Sequence, residues 1–360
     1  MTSHKSFKSV TDIYTYIQHL LPSLATIHNP MPCAKALNMD DPSNNKHLHI
    51  AQIAACMQQC EHYKQIWLST MHHEAICMIQ IHSALQPPHL LSLYRYTTNT
   101  LFGEDYHSQF DPQHYLQVFF ADVTHPVHCF QLKQLHKFYQ SFKLTETKLK
   151  ILEIGAGPVI AHTISAAPYA SEIVLSEYTE ANRKELLQWL KNDPKAHDWT
   201  SFFKHVVVDL EGTSEEEVPI RAELVRKVIK AVVSCDVNSD PPIPTHYVNQ
   251  YDVITDFFCL SAACATKEDY LAGLVRLCAL LKPGGKMVLF VGEGKESETL
   301  TSYSVGSQKF SSLLLSKESL FDLLKRAGLF DVKVESVASK VVEGNPDRVG
   351  SNFITACKRN

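Results

Sequence analysis

From Lys148 onward the chain alternates short, almost wholly apolar runs with amphipathic ones. "LKILEIG" is followed by "PVIAHTISAA", "SEIVLSEY" by "EANRKELLQWLKN", and "FFKHVVVD" by "EVPIRAELVRKVIKAVVS". "YDVITDFF" then precedes "KEDYLAGLVRLCALL", and "GKMVLFVG" leads into a polar loop. A strand without a polar face has to be covered on both sides, and intervening helices supply the cover. The pattern therefore predicts an α/β fold with a parallel sheet between two helical layers. The tail adds one helix, "KESLFDLLKRAG", and two runs, "FDVKVESVASK" and "SNFITACKR", close enough in sequence to pair as a hairpin.

Residues 1–100 have a different character. They are rich in His and Cys, poor in Gly, and space their apolar residues at three and four in "DIYTYIQHLL" and "HIAQIAACMQQCEHYKQIWLSTMHHEAICMIQIHSAL" until Pro87-Pro88. This predicts an all-helical N-terminal extension ahead of a domain covering 101–360. That domain opens with lead-in helices: Asp111 can cap a helix whose first position is Pro112, and "HCFQLKQLHKFYQSF" is amphipathic. His73 with Cys77, and Cys56 with Cys60, stand at helical spacing, but the intervals miss zinc-binding patterns, so no metal is expected.

The formal charge is -4 with His neutral, and no long Lys/Arg block exists, which argues against nucleic acid or anionic lipid as partner and for a small-molecule substrate. The first residues lack the uninterrupted apolar core of a signal peptide and no run is long enough for a membrane span, so a cytoplasmic protein is expected, with a monomer as the simplest state. The 10 cysteines lie mostly inside apolar segments such as "FFCLSAAC" and read as reduced thiols.

"ILEIGAGPVIAHT" places Gly155 and Gly157 on the first strand-to-helix turn, where ligands of open parallel sheets approach bare backbone amides. The third glycine of a dinucleotide fingerprint is replaced by Ile160, which disfavours a pyrophosphate. Glu177 follows about twenty residues on, at the end of the next strand, where a carboxylate accepts from ribose hydroxyls. Glu153 precedes the glycines and favours a ligand with positive charge; S-adenosylmethionine carries a sulfonium and an ammonium. The Pro-Gly-Gly turn of "LLKPGGKMVLF" and the terminal hairpin favour a methyl donor over NAD, leaving a dehydrogenase as the rival reading.

In these stretches and several others the chain resembles the small-molecule N-methyltransferases acting on nicotinamide, phenylethanolamine and indolethylamine or thioether substrates. The matching segments run in order from Tyr106: "YHSQFDPQHYL", "EIGAGP", "IVLSEYTEANRKELLQWLKNDPKAHDW", "DLEG", "CDV", "CLSAAC", "LLKPGG" and "GSQKFSSLLL". The resemblance implies a class I methyltransferase sheet, Rossmann-like and mostly parallel with an antiparallel C-terminal hairpin strand, and S-adenosylmethionine as methyl donor. It implies that Tyr106 and Tyr115 hold the donor's carboxylate beside Gly155, Ala156 and Gly157. Glu177 would take the ribose hydroxyls, with Tyr178 against the adenine and Asn182 in support. Asp236 would accept from the adenine amino group, the Val237 amide would donate to a ring nitrogen, and Phe257 completes the donor contacts.

Departures from the family pattern accompany the matches. Glu177 stands where an aspartate is usual, Ala161 and Phe120 where tyrosines are usual, and Ser261 where the relatives carry an acid beside the acceptor. A second acid past the fifth strand corresponds to one of Glu293, Glu296 and Glu298 in a loop longer than the family norm, and Glu293 is the first choice. Tyr303 and Ser312 match acceptor-pocket positions. The resemblance thus implies N-methylation of a small amine or pyridine, while Ser261 keeps open a donor-binding protein without catalysis. Methylation of nucleic acid or protein is disfavoured, because "DFFCLS" lacks a Pro-Pro-Tyr element and no basic face accompanies it.

Overall fold

The computed structural model describes residues 99–248, 250–338 and 347–359. The helical extension predicted over 1–100, with the His73, Cys77, Cys56 and Cys60 pairs, falls outside them apart from residues 99 and 100. The sheet is built from β1 (Leu149–Ile154), β2 (Ala170–Glu177), β3 (Ile229–Ser234), β4 (Tyr251–Phe257) and β5 (Leu281–Gly294), parallel and ordered β3-β2-β1-β4-β5. Its order reverses between β1 and β4, so the crevice at their carboxyl ends is the ligand position of such a fold. The C-terminal hairpin forms as predicted. β9 (Arg348–Lys358) runs antiparallel to β5 and to β8 (Leu329–Ala338). Together these make the class I methyltransferase sheet.

The two helical layers follow from the apolar strands. On one face Ile151, Val253, Val288 and Phe290 are buried with Leu132, Leu135 and Tyr139 of α3 (Pro126–Gln140). On the other, Leu152, Ile254, Met287 and Leu289 are buried with α8 (Lys267–Leu280) and α9 (Lys317–Arg326). Neighbouring strand residues thus feed opposite cores, as alternation of side chains requires. Ahead of the sheet lie α1 (Asp105–Gln109) and α2 (Pro112–Phe119); Asp111 caps α2 by accepting from the His114 N–H, with Pro112 at the first position. α4 (Glu180–Leu190) follows β2.

Four segments differ from the sequence expectation. "FFKHVVVD" is helical, not a strand: α5 (Thr200–Lys204) continues as a π-helical turn through Leu210. Its buried residues Phe202, Phe203, Val206 and Val207 recur at three and four, a helical stripe within a β-branched run. The strand beside β2 is instead "IKAVVS", so α6 (Glu217–Val228) ends six residues earlier than its pattern suggested. "PVIAHTISAA" forms two 3₁₀ turns, Ala161–Thr163 and Ala167–Tyr169, in place of a helix. Every residue from 158 to 167 is buried, so the segment has no solvent face for a surface helix, and Val159, Ile160, Thr163 and Ile164 disfavour one. Finally, part of the polar loop after β5 is β6 (Glu298–Val305), which turns at Gly306 and pairs with β7 (Gln308–Leu315).

At the carboxyl end of β4 the chain turns through Phe258, left-handed at φ 67°, into the short α7 (Cys259–Ala263). The buried Asp256 carboxyl holds that turn by accepting from the Cys259 N–H at 3.1 Å and the Leu260 N–H at 3.0 Å. Burial pushes its pKa up to about 7 against these two donors. Between the unfolded value near 4 and about 7 the folded state binds the extra proton, so Asp256 stabilises the fold fully below about pH 4 and loses that contribution as pH rises through 7. Urea unfolding of the wild type and Asp256→Asn at pH 4, 6 and 8 is expected to show the wild-type advantage shrinking by a few kcal/mol towards pH 8. A pH-independent difference would remove this role.

Candidate active site

The buried Glu177 side chain at the end of β2 joins two loops. Its Oε2 accepts from the Gly157 N–H at 2.9 Å. Its Oε1 accepts from the Thr179 N–H at 2.8 Å, the Thr179 hydroxyl at 3.1 Å and Asn182 Nδ2 at 3.0 Å. Thr179 in turn caps α4 by accepting from the Asn182 N–H, and Arg183 donates to the carbonyls of Glu177 and Tyr178, both at 2.7 Å. A carboxylate offers about four lone-pair positions, so Oε2 retains one for a further donor. Asn182 Oδ1 is buried without a partner among the described residues. Two acceptors therefore stand together at the carboxyl edge of β2, a set suited to a pair of hydroxyl groups.

The glycine turn is shaped for close approach. Gly155 and Gly157 both adopt φ 60°. A Cβ on Gly155 would lie 2.3 Å from Cys259 Sγ and 2.4 Å from Cys259 Cβ, so this glycine is required by the packing of β4's end against β1's end. A Cβ on Gly157 would meet nothing within 4 Å, leaving it open to a ligand. The Ala156 N–H is taken by the Ser176 carbonyl at 2.9 Å. Glu153, read from the sequence as favouring a cationic ligand, is buried, and its Oε1 lies 2.8 Å from His162 Nδ1.

Three tyrosines gather near the turn. The Tyr106 and Tyr303 hydroxyls hydrogen-bond at 2.9 Å, and the Tyr106 ring packs 4.5 Å from Phe310. Tyr115 packs against Phe110, Phe119 and Phe120. Burial, reinforced by the Glu177 charge, raises the pKa of Tyr106, Tyr115 and Tyr303 above the usual phenol range. All three stay protonated at neutral pH; one of Tyr106 and Tyr303 spends its hydrogen on the other, and the remaining hydroxyl and that of Tyr115 can donate to an anionic group. Tyr178 lies 4.3 Å from the His107 ring, and burial also raises its pKa.

Asp236 begins a tight loop, with Oδ1 accepting from the Asn238 N–H and Oδ2 from the Ser239 hydroxyl. The Val237 carbonyl accepts from Arg276, while its N–H has no acceptor among the described residues. Phe257 is buried 4.1 Å from the His162 ring. On the acceptor side Ser261 is buried in α7, and Ser312 sits on β7 opposite Thr301 of β6. Glu293 lies 3.3 Å from Lys317 of α9, Glu298 accepts from the Lys267 N–H at the start of α8, and Glu296 is exposed. Thr179 and Cys259 are parts of this site that sequence reasoning passed over. Thr179 carried a helix-start signal, three residues ahead of Asn182. Cys259 carried none, since its approach to Gly155 joins residues a hundred positions apart.

Comparison with known proteins adds the lineage. Residues 98–359 match the model of the NNMT/PNMT/TEMT family. The chain belongs to this family. Among the relatives, indolethylamine N-methyltransferase of Mus musculus is 33% identical over 259 residues, 71% of this chain and 96% of that protein. Nicotinamide N-methyltransferase of Homo sapiens is 34% identical over 243 residues, 66% of this chain and 89% of that protein. Phenylethanolamine N-methyltransferase of Rattus norvegicus is 29% identical over 262 residues, 70% of this chain and 89% of that protein. No helix among the described residues is long and apolar enough to cross a membrane.

The two glycines of the family's turn should respond differently to a methyl group. Gly155→Ala combines a left-handed alanine with a collision against Cys259 and is expected to cost about 2 kcal/mol or more of stability. Gly157→Ala carries only the backbone cost, about 1 kcal/mol, but places its methyl in the open crevice and should weaken donor binding. Urea unfolding and calorimetry with S-adenosylmethionine check both; equal stability loss in the two variants would contradict the packing described.

Proposed function

We propose that the protein transfers a methyl group from S-adenosylmethionine to the nitrogen of a small amine or a pyridine-type acceptor such as nicotinamide. Glu177 Oε2, which keeps a lone-pair position after accepting from the Gly157 N–H, and the unpartnered Asn182 Oδ1 carry this reading: a nucleoside's ribose brings two adjacent hydroxyl donors. The same residues serve a sulfonium nucleoside better than a dinucleotide, because the place of the pyrophosphate-binding glycine is taken by the buried Ile160. Tyr106 and Tyr115 supply neutral phenols for the donor's carboxylate, Tyr178 stacks at the adenine end, and Asp236 and the Val237 N–H read the ring's edge.

The donor supplies a methyl group bonded to a positively charged sulfur. The protein's task is to hold an acceptor lone pair in line behind that methyl, and such positioning can lower the barrier by about 7–11 kcal/mol. A pyridine nitrogen has its lone pair free at neutral pH. An aliphatic ammonium must first lose a proton, and Glu293 is assigned as base or anchor for it, acting through water. Tyr303, Ser261 and Ser312 line the acceptor side, with Tyr303 tied to the donor side by its bond to Tyr106.

Mass spectrometry of products from a mixed pool of amines and pyridines, with S-adenosylmethionine present, tests the reading. A methylated nitrogen is expected. Donor binding without methylation of any pool member would instead favour the binding-protein alternative raised by Ser261. Glu177→Ala is expected to weaken donor binding by about 1.5–3 kcal/mol, the worth of hydrogen bonds to a charged group. Unchanged affinity by calorimetry would take Glu177 out of the site. Glu293→Gln should lower kcat for an aliphatic amine far more than it changes donor affinity.

A further inference from the structure

Arg348 opens β9 at the carboxyl edge of the sheet, beside the residues that close the active-site crevice. Its Cζ stands 5.2 Å from the centre of the Phe258 ring. A Cβ added at Gly292 of β5 would come within 3.3 Å of its Nε. Phe258 is joined directly to Cys259, which packs against Gly155, so the guanidinium is connected to the glycine turn through two adjacent residues at the end of β4. Nε donates to the Gly350 carbonyl at 3.2 Å and Nη2 to the Ser351 hydroxyl at 2.6 Å. Of its five N–H groups, three therefore have no partner among the described residues, including both on Nη1.

Its charge is also unanswered among the described residues. Among the described residues no carboxylate forms an ion pair with Arg348. The acids of this region are engaged: Glu293 with Lys317, Glu298 with the start of α8, and Asp256 with the start of α7. Burial lowers the pKa of the guanidinium. Arg348 nevertheless keeps intermediate exposure, so a small ligand can reach it. A half-buried cation held by two neutral acceptors over an aromatic face is a ready recognition element for an anion. Its planar fork matches a carboxylate in particular. Ser261, on the neighbouring α7, is neutral and would not repel such a group.

Resting on the methyl-transfer reading above, we propose that the acceptor carries a carboxylate in addition to the nitrogen that is methylated, and that Arg348 binds this carboxylate. The site would then select amino-acid-like amines or pyridine carboxylates over their neutral counterparts. Arg348 acts as a specificity determinant: it orients the acceptor from the far end while the nitrogen faces the donor.

The test uses matched pairs differing only in the carboxylate, phenylalanine against phenethylamine and pyridine-3-carboxylate against pyridine-3-carboxamide. Turnover is measured with S-adenosylmethionine, and binding by calorimetry on the full chain loaded with S-adenosylhomocysteine. The carboxylate member of at least one pair is expected to be favoured tenfold or more. Arg348→Gln should erase that preference without changing donor affinity, and Arg348→Lys should keep part of it. The proposal is overturned if neutral members bind as well or better, if neither member binds, or if Arg348→Gln leaves the ratio unaltered. The two readings fail separately. Methylation of neutral acceptors without carboxylate preference sinks this proposal alone, whereas Arg348-dependent carboxylate binding without any methylated product sinks the methyl-transfer reading alone.

Discussion

One buried carboxylate organises the crevice. Glu177 holds the Gly157 amide on one oxygen and the opening of α4, through Thr179 and Asn182, on the other. A charge removed from water is tolerable when several donors meet it, and the first turn of a helix provides donors and a favourable dipole. The loops after β1 and β2 are thereby held in mutual register before any ligand arrives. The extra methylene of glutamate over aspartate has a visible use here, since the side chain reaches across to the glycine turn and still leaves an acceptor position open.

The end of β4 contributes a second constraint from the other side of the switch point. Asp256 anchors the first amides of α7, which forces Phe258 into a left-handed conformation and brings Cys259 hard against Gly155. Such strain persists when surrounding contacts over-determine it. The consequence is a single wall that serves two purposes. One side of it braces the donor turn, and the Phe258 ring on the other supports the Arg348 guanidinium. The glycine turn and the Arg348 guanidinium thus share one structural element.

Much of this was legible before any coordinates. The alternation of apolar runs with amphipathic ones announced a covered parallel sheet, Asp111 and Pro112 marked the start of α2, and Gly155, Gly157 and Glu177 marked the switch point. What escaped were runs that local pattern describes ambiguously. Val206–Val208 and Val232–Val233 are both β-branched and apolar, yet one is helical and the other a strand, because the sheet has one place beside β2. The acceptor side was less readable still. Glu293, Glu296 and Glu298 look alike in sequence, and packing gives the first an ion pair with Lys317, leaves the second exposed and sets the third at the start of α8.

The sequence by itself determined the class of fold and the place of the glycine turn, because both depend on local properties: the period of hydrophobicity and the backbone freedom of glycine. It also determined the family, through motifs whose order survives in the chain. Tertiary structure alone decided which polar groups remain unsatisfied. Asn182 Oδ1 and the outer N–H groups of Arg348 are conspicuous because they have no partner among the described residues, and satisfaction of a hydrogen bond or a charge is a property of a place in space.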